Sequence, residues 1–287
     1  MNAFSTAETA AESSLARWLK TRELAAFFVL TFLITFAGWI PVFLGLPGSD
    51  LFNVTGLWGP ALAALLVTAL ARGKPGLKAL FRRLLLWRVP GRWYLVILLG
   101  WPAVSLLAAF LHARITGQPL VFEWGRWSGT RTWLVQALLL GFWACEEIGW
   151  RGFALPRLLE RWNAFTASLI LGVVWALWHL PYFFFGMPYS FLIYALYLLA
   201  VSVLMTWIFN HTQGSLLVAV IFHFWFNMFA ILQADKLPLA QPGGEVTVEA
   251  FLLTGAAALV VLVFGHRSLT RSGRQAVTPA LKPSGGA

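Results

Sequence analysis

Apolar residues along this chain fall in long unbroken runs, without the alternation of a half-buried strand or the one-sided stripe of a soluble helix. About 20 such residues in a helix cross the hydrocarbon core of a bilayer. Eight stretches reach or approach that length: Leu24 to Leu46, Val54 to Ala71, Trp93 to Ala113, Trp133 to about Leu155, Ala164 to about Phe185, Tyr189 to Phe209, Ser215 to Leu232, and Val248 to Gly265. The pattern predicts an all-α, polytopic membrane protein, a bundle of about eight transmembrane helices. Pro41, Pro60 and Pro102 fall in or near spans, which membrane helices tolerate. Trp18, Trp39, Trp58, Trp87, Trp93, Trp124, Trp127 and Trp133 lie near the proposed boundaries, where aromatic belts form. The chain divides into an N-terminal segment (1–23), an integral membrane domain (24–266) and a tail (267–287) rich in Ser, Gly, Pro and basic residues, expected to be disordered. No internal repeat is visible.

Composition agrees with this picture. Only 11% of the 287 residues are charged and 59% are hydrophobic, whereas a soluble domain carries about a quarter charged residues. The net charge of +10 would suit a nucleic-acid binder, but the basic residues lie between the apolar runs. There they report topology and attraction to anionic headgroups, so the expected partner is the lipid bilayer and not nucleic acid. With the N-terminus in the cytoplasm, 17 of the 21 Lys and Arg fall on the inner side, including seven from Arg72 to Arg92. The four on the outer side are Arg114, Arg126, Arg131 and Lys236. Both termini are therefore expected to be cytoplasmic. The first 23 residues carry Glu8, Glu12, Arg17, Lys20, Arg22 and Glu23 and lead into an apolar run too long for a signal core, so no cleavable signal peptide is expected. The single cysteine, Cys145, rules out an intramolecular disulfide.

Against this background a few polar residues stand out. Glu146 and Glu147 lie deep in an apolar run, GFWACEEIGWRGFALP, with Arg151 close behind. An ionised side chain near the middle of a membrane helix costs roughly 3 kcal/mol or more, so these groups must be paired, functional or both. Glu147 and Arg151 are four apart and share a helix face, which reads as a supporting ion pair. Glu146 projects about 100° away and finds no such partner in its own helix, which makes it the better functional candidate. Two further spans carry His179, in WALWHLPYFF, and His223 with Asn227, four apart in FHFWFN. A lone buried His or Asn is commonly structural; one unpaired Glu, two His and one Asn on three separate spans suggest a shared site. At 1.5 Å per residue, Glu146 and His223 both come out about 15 Å from the inner boundary and His179 about 24 Å, so His179 needs a tilt or a displaced boundary to join them. His112, His211 and His266 sit near span ends, where water can satisfy them.

Taken together these stretches resemble the CPBP family, the CAAX protease and bacteriocin-processing or Abi family. The resemblance rests on EExxxR (Glu146, Glu147, Arg151), a motif ending in HLP (His179), HxxxN (His223, Asn227) and the GSL at Gly214, Ser215 and Leu216, and covers roughly Trp133 to Phe229. One departure is Trp175, where the family often has Phe. The resemblance implies a glutamate-dependent intramembrane endopeptidase, with type II CAAX prenyl proteases as its best-known branch. By it, Glu146 with His179 activates water, while His223 and Asn227 stabilise the oxyanion. It also implies a membrane-associated or lipidated peptide or protein substrate and a bacterial or archaeal plasma membrane. A polar cavity among the fourth, fifth and seventh spans is expected, opening toward the cytoplasm.

Three other readings compete. Glu146, His179 and His223 could supply a zinc site of two His and one carboxylate, although no HExxH fixes two ligands on adjacent turns; no cofactor is the primary expectation, with zinc as the alternative. Intramembrane Glu and His also build proton relays, as in a proton-coupled transporter, but no broken helices recur in two matching halves. A non-catalytic immunity or scaffold protein would have little use for the whole polar set. Cys145 adjoins Glu146, but no third group orients it as a nucleophile.

Overall fold

The computed structural model describes residues 14–47, 55–117, 145–184, 187, 189–236, 244–273 and 275–276. Glu8, Glu12, Trp124, Arg126, Trp127, Arg131 and Trp133 lie outside these residues, as does most of the expected fourth span. All regular structure among the described residues is helical. Helix α1 (Ser14–Phe43) bends at Arg22, and α2 (Gly59–Arg82) kinks at Gly73, followed by a 3₁₀ turn (Arg83–Leu85) and α3 (Arg92–Thr116). After the undescribed stretch come α4 (Glu146–Gly149), a π-turn (Trp150–Ala154) and α5 (Leu155–Leu159), which follow one another without a break. Then come α6 (Ala164–Phe183), α7 (Phe191–His211), α8 (Leu216–Lys236) and α9 (Gly244–Phe264).

Five helical stretches are long and apolar enough to cross a membrane: Thr21–Phe43, Arg92–Thr116, Ala164–Phe183, Phe191–His211 and Val246–Phe264, with a shorter apolar one at Leu216–Met228. The protein is an integral membrane helical bundle. Its exterior is apolar, with Leu95, Leu99 and Leu106 of α3 and Leu259 and Leu262 of α9 exposed. Its interior holds hydroxyls that bond to helix carbonyls. Ser168 donates to Ala164 O at 2.6 Å, Ser202 to Ser168 O at 2.8 Å and Thr206 to Ser202 O at 2.8 Å. A backbone in lipid must be satisfied from within, and the Ser202 contact adds a polar link between α6 and α7.

The site helix is brought inward by close packing on α2. A Cβ on Gly149 would lie 2.5 Å from the carbonyl oxygen of Pro60, so only glycine permits this approach. Phe27 of α1 stacks on Phe153 at 4.8 Å and meets Trp150 edge-on at 5.9 Å. Trp178 of α6 donates to Thr35 Oγ1 at 2.8 Å, and Thr35 in turn donates to Gly56 O at 2.9 Å.

Three expectations need revising. The basic stretch from Arg72 to Arg92 is not a plain loop, because α2 resumes after the Gly73 kink and runs to Arg82. Arg72 and Arg157 both bind the buried Glu23: Arg72 Nε and Nη2 donate at 2.9 and 3.1 Å, and Arg157 Nε at 2.6 Å. That cluster ties α1, α2 and α5 together. The beginning of the expected disordered tail folds back instead: Ser268, Leu269 and Thr270 are buried, Arg267 O accepts from Ala164 N at 2.8 Å, and Asn210 Nδ2 donates to Ser268 O at 2.8 Å. His112, expected near water, is buried where Gly244 packs on its ring.

Candidate active site

Glu146 and Glu147 open α4 and leave it in different directions, as the helical turn requires. Glu147 is fully buried. Its Oε1 accepts from Arg151 Nη1 at 2.8 Å and from His223 Nδ1 at 2.8 Å. The carboxylate therefore neutralises Arg151 and also fixes the imidazole offered by α8. Oε2 of Glu147, and Nε and Nη2 of Arg151, have no hydrogen-bond partner among the described residues, so one oxygen carries both links.

Glu146 is 4% exposed, and its Oε2 accepts from Trp150 Nε1 at 3.2 Å. A search for opposite charges overlooks this partner, because an indole N–H one turn on carries none. Among the described residues no Lys or Arg forms an ion pair with Glu146. His223, Tyr182 and Tyr194 all lie within electrostatic reach of its carboxylate. The two tyrosines were not singled out from sequence, and nothing in their local pattern marks them.

Trp175 forms the centre of the cluster. The Arg151 guanidinium sits over its ring at 4.6 Å, His223 lies 5.6 Å away and His179 6.0 Å. Tryptophan is the strongest aromatic partner for a cation, which gives the departure from Phe a physical role: part of the Arg151 charge is met by the indole face. His179 lies one turn beyond Trp175, and both imidazoles stand beside that ring.

Both imidazoles are oriented through Nδ1. His179 Nδ1 lies 2.9 Å from Trp175 O; a carbonyl only accepts, so Nδ1 carries the hydrogen and Nε2 of the neutral ring is an acceptor. The His223 Nδ1–H donates to Glu147 in the same way. His179 also meets Trp178 at 4.7 Å and Tyr194 at 5.4 Å. Asn227 lies one turn beyond His223 on α8 and is half-buried. The structure thus gathers Glu146, Glu147, Arg151, Trp175 and His223 in one buried cluster at the meeting of α4, α6 and α8, with His179 on its flank. Among the described residues, no three His, Cys, Asp or Glu side chains converge as a metal-holding group, so Glu146, His179 and His223 do not form one here. Cys145 is half-buried just before α4.

Residues 126–229 match the family model described as type II CAAX prenyl endopeptidase Rce1-like. Over that stretch the chain is similar to the Rce1-like family. The match spans every residue of the cluster, from Glu146 to His223, and reaches Asn227 beyond it. The chain is also 28% identical over 234 residues to CAAX prenyl protease 2 of Methanococcus maripaludis, covering 74% of this chain and 86% of that protein. That similarity agrees with the buried carboxylate and imidazole groups, which a purely structural membrane bundle does not require.

Proposed function

We propose that this protein is an intramembrane endopeptidase that hydrolyses a peptide bond in a membrane-associated substrate, with Glu146 as the base. The observation that carries this reading is the unequal treatment of two adjacent carboxylates. Glu147 is committed to Arg151 and His223, whereas Glu146 receives a neutral indole donor and keeps capacity for a water. A general base must reach its proton in hydrogen-bonding geometry, and a carboxylate already spent on a guanidinium is poorly placed to do so.

In the proposed reaction Glu146, assisted by the Nε2 lone pair of His179, takes a proton from water as the oxygen attacks the scissile carbonyl carbon. The carbonyl oxygen becomes an alkoxide. Asn227 donates to it from its amide, and His223 donates from Nε2 when both ring nitrogens are protonated, the Nδ1–H remaining on Glu147. Collapse of the tetrahedral intermediate breaks the C–N bond, and the proton held by Glu146 passes to the leaving amine. The products are a carboxylic acid and an amine, which exchange a proton to leave as a carboxylate and an ammonium group. Donors preorganised toward a developing oxyanion supply the largest single contribution in such reactions.

The relative named CAAX prenyl protease 2 points to a prenylated C-terminal peptide as the first substrate class to try. The excess of Lys and Arg on one side of the apolar runs supports placing both termini in the cytoplasm. Purified protein in liposomes, presented with prenylated and unprenylated membrane-anchored peptides, tests the proposal with Glu146→Gln as control. Cleavage by the wild type and none by the folded variant is expected. Equal cleavage by both removes Glu146 from the mechanism.

A further inference from the structure

Pro156 has a consequence for the site helix that is met from a distant part of the chain. Proline has no backbone N–H. In an α-helix that missing donor would have served the carbonyl four residues earlier, Gly152, and in a π-turn the carbonyl five residues earlier, Arg151. Both carbonyls belong to the π-turn Trp150–Ala154, immediately after the two carboxylates. A buried carbonyl left without a donor is destabilising, more so where water is absent.

Arg83 satisfies both. It lies in the 3₁₀ turn after α2, is 7% exposed, and donates from Nη1 to Gly152 O at 2.9 Å and from Nη2 to Arg151 O at 3.3 Å. Its Nε donates at 3.0 Å to Gly214 O, just before α8. The guanidinium lies 4.9 Å from the centre of the Phe209 ring at the end of α7. Gly214 has φ +75°, a left-handed turn conformation that glycine adopts without strain. A second link runs alongside, since Ser215 Oγ donates to Leu86 O at 2.6 Å and accepts from Val218 N at 3.2 Å. One planar cation with three donors therefore spans the helix that carries Glu146 and Glu147 and the helix that carries His223 and Asn227.

We infer that Arg83 is a positioning residue for hydrolysis, clamping the π-turn to the start of α8 and so fixing the 2.8 Å contact between Glu147 and His223. This rests on the hydrolase reading above for its catalytic consequence, and on the hydrogen bonds alone for the clamp. Lysine cannot replace it, because an ammonium group is a single point of charge and cannot present the flat three-donor fork.

The test uses the full-length protein in liposomes, as Arg83→Ala and Arg83→Lys, with hydrogen exchange at residues 150–156 and 214–218 measured beside cleavage kinetics. Arg83→Ala is expected to speed exchange in both segments and to lower kcat about 10²-fold, the scale of ångström-sized misplacement of catalytic groups, with KM within twofold. Added methylguanidinium is expected to restore part of the kcat of Arg83→Ala, and Arg83→Lys to recover much less than wild-type rate. A merely destabilised enzyme would lose active fraction and gain nothing from the added cation. Unchanged exchange in either segment overturns the clamp, and altered exchange with wild-type kcat overturns its positioning role. If exchange responds as expected while the wild type cleaves no peptide, the hydrolase reading fails and the clamp stands.

Discussion

Replacing Glu147 by Gln perturbs the cluster at its most costly point, and Glu146→Gln is the control that makes the measurement readable. Glu147 and Arg151 are both fully buried, joined at 2.8 Å, and two further donor nitrogens of Arg151 already lack partners among the described residues. Glutamine keeps the shape and one acceptor oxygen, so the change is the removal of one negative charge beneath a guanidinium. Breaking one side of a buried ion pair costs about 3–5 kcal/mol; because an acceptor survives and the Trp175 face shares the cation, the lower end applies. At roughly 2–4 °C per kcal/mol for a chain of this size, the unfolding midpoint should fall by on the order of 10 °C. Glu146→Gln loses no ion pair and still accepts from Trp150, so its cost should stay within about 1 kcal/mol. Thermal unfolding of both variants in detergent, followed by tryptophan fluorescence, reads the difference, and kcat in liposomes reads the chemistry. Glu146→Gln should be stable and inactive. Glu147→Gln should be unstable and, because His223 loses its anchor, impaired even when folded at low temperature. Midpoints within about 2 °C of each other, less than 1 kcal/mol on the same scale, would refute the assignment of the charge to Glu147 and Arg151.

Asn227→Ala should lower kcat by about 10²–10³ with little change in KM, as removal of one oxyanion donor does, measured by initial rates in liposomes. Glu23→Gln leaves Arg72 and Arg157 without their shared carboxylate and should cost about 3–5 kcal/mol of stability, read from thermal unfolding. Because that cluster is separate from the carboxylate pair on α4, kcat of the folded fraction should change little. Cleavage should persist after dialysis against a strong chelator; loss of activity restored by Zn²⁺ would instead support the zinc alternative.

The membrane bundle was legible because lipid imposes a simple rule: a span must be long, apolar and helical, and most of the runs read from the chain are helices within a few residues of where hydropathy put them. The Glu147–Arg151 link was legible for an equally local reason, the four-residue repeat of a helix face. What sequence could not supply was the choice of distant partner. Nothing in the spacing of His223 says that its Nδ1 meets Glu147 and not Glu146, because that depends on how α8 is rotated against α4. Arg83 was counted among loop cations, since its value as a donor depends on carbonyls some 70 residues away. A signal was present in Pro156, which announces open carbonyls upstream, but not in which residue would close them.

The separation of roles between Glu146 and Glu147 nonetheless has a local cause. Each carboxylate meets the side chain four positions on: Glu146 meets Trp150 and Glu147 meets Arg151. The two contacts have the same spacing, lie side by side along the same turn and differ only in the charge of the donor. A guanidinium binds its carboxylate strongly and holds it in place. An indole N–H orients a carboxylate without discharging it, so the remaining lone pairs stay available to a water or a proton. Two neighbouring residues of the same type are thus divided, by the donor each meets one helical turn later, into one that holds His223 in position and one whose lone pairs stay open, as the proposed mechanism requires. Helix α8 reinforces the division by sending His223 to the carboxylate that is already engaged.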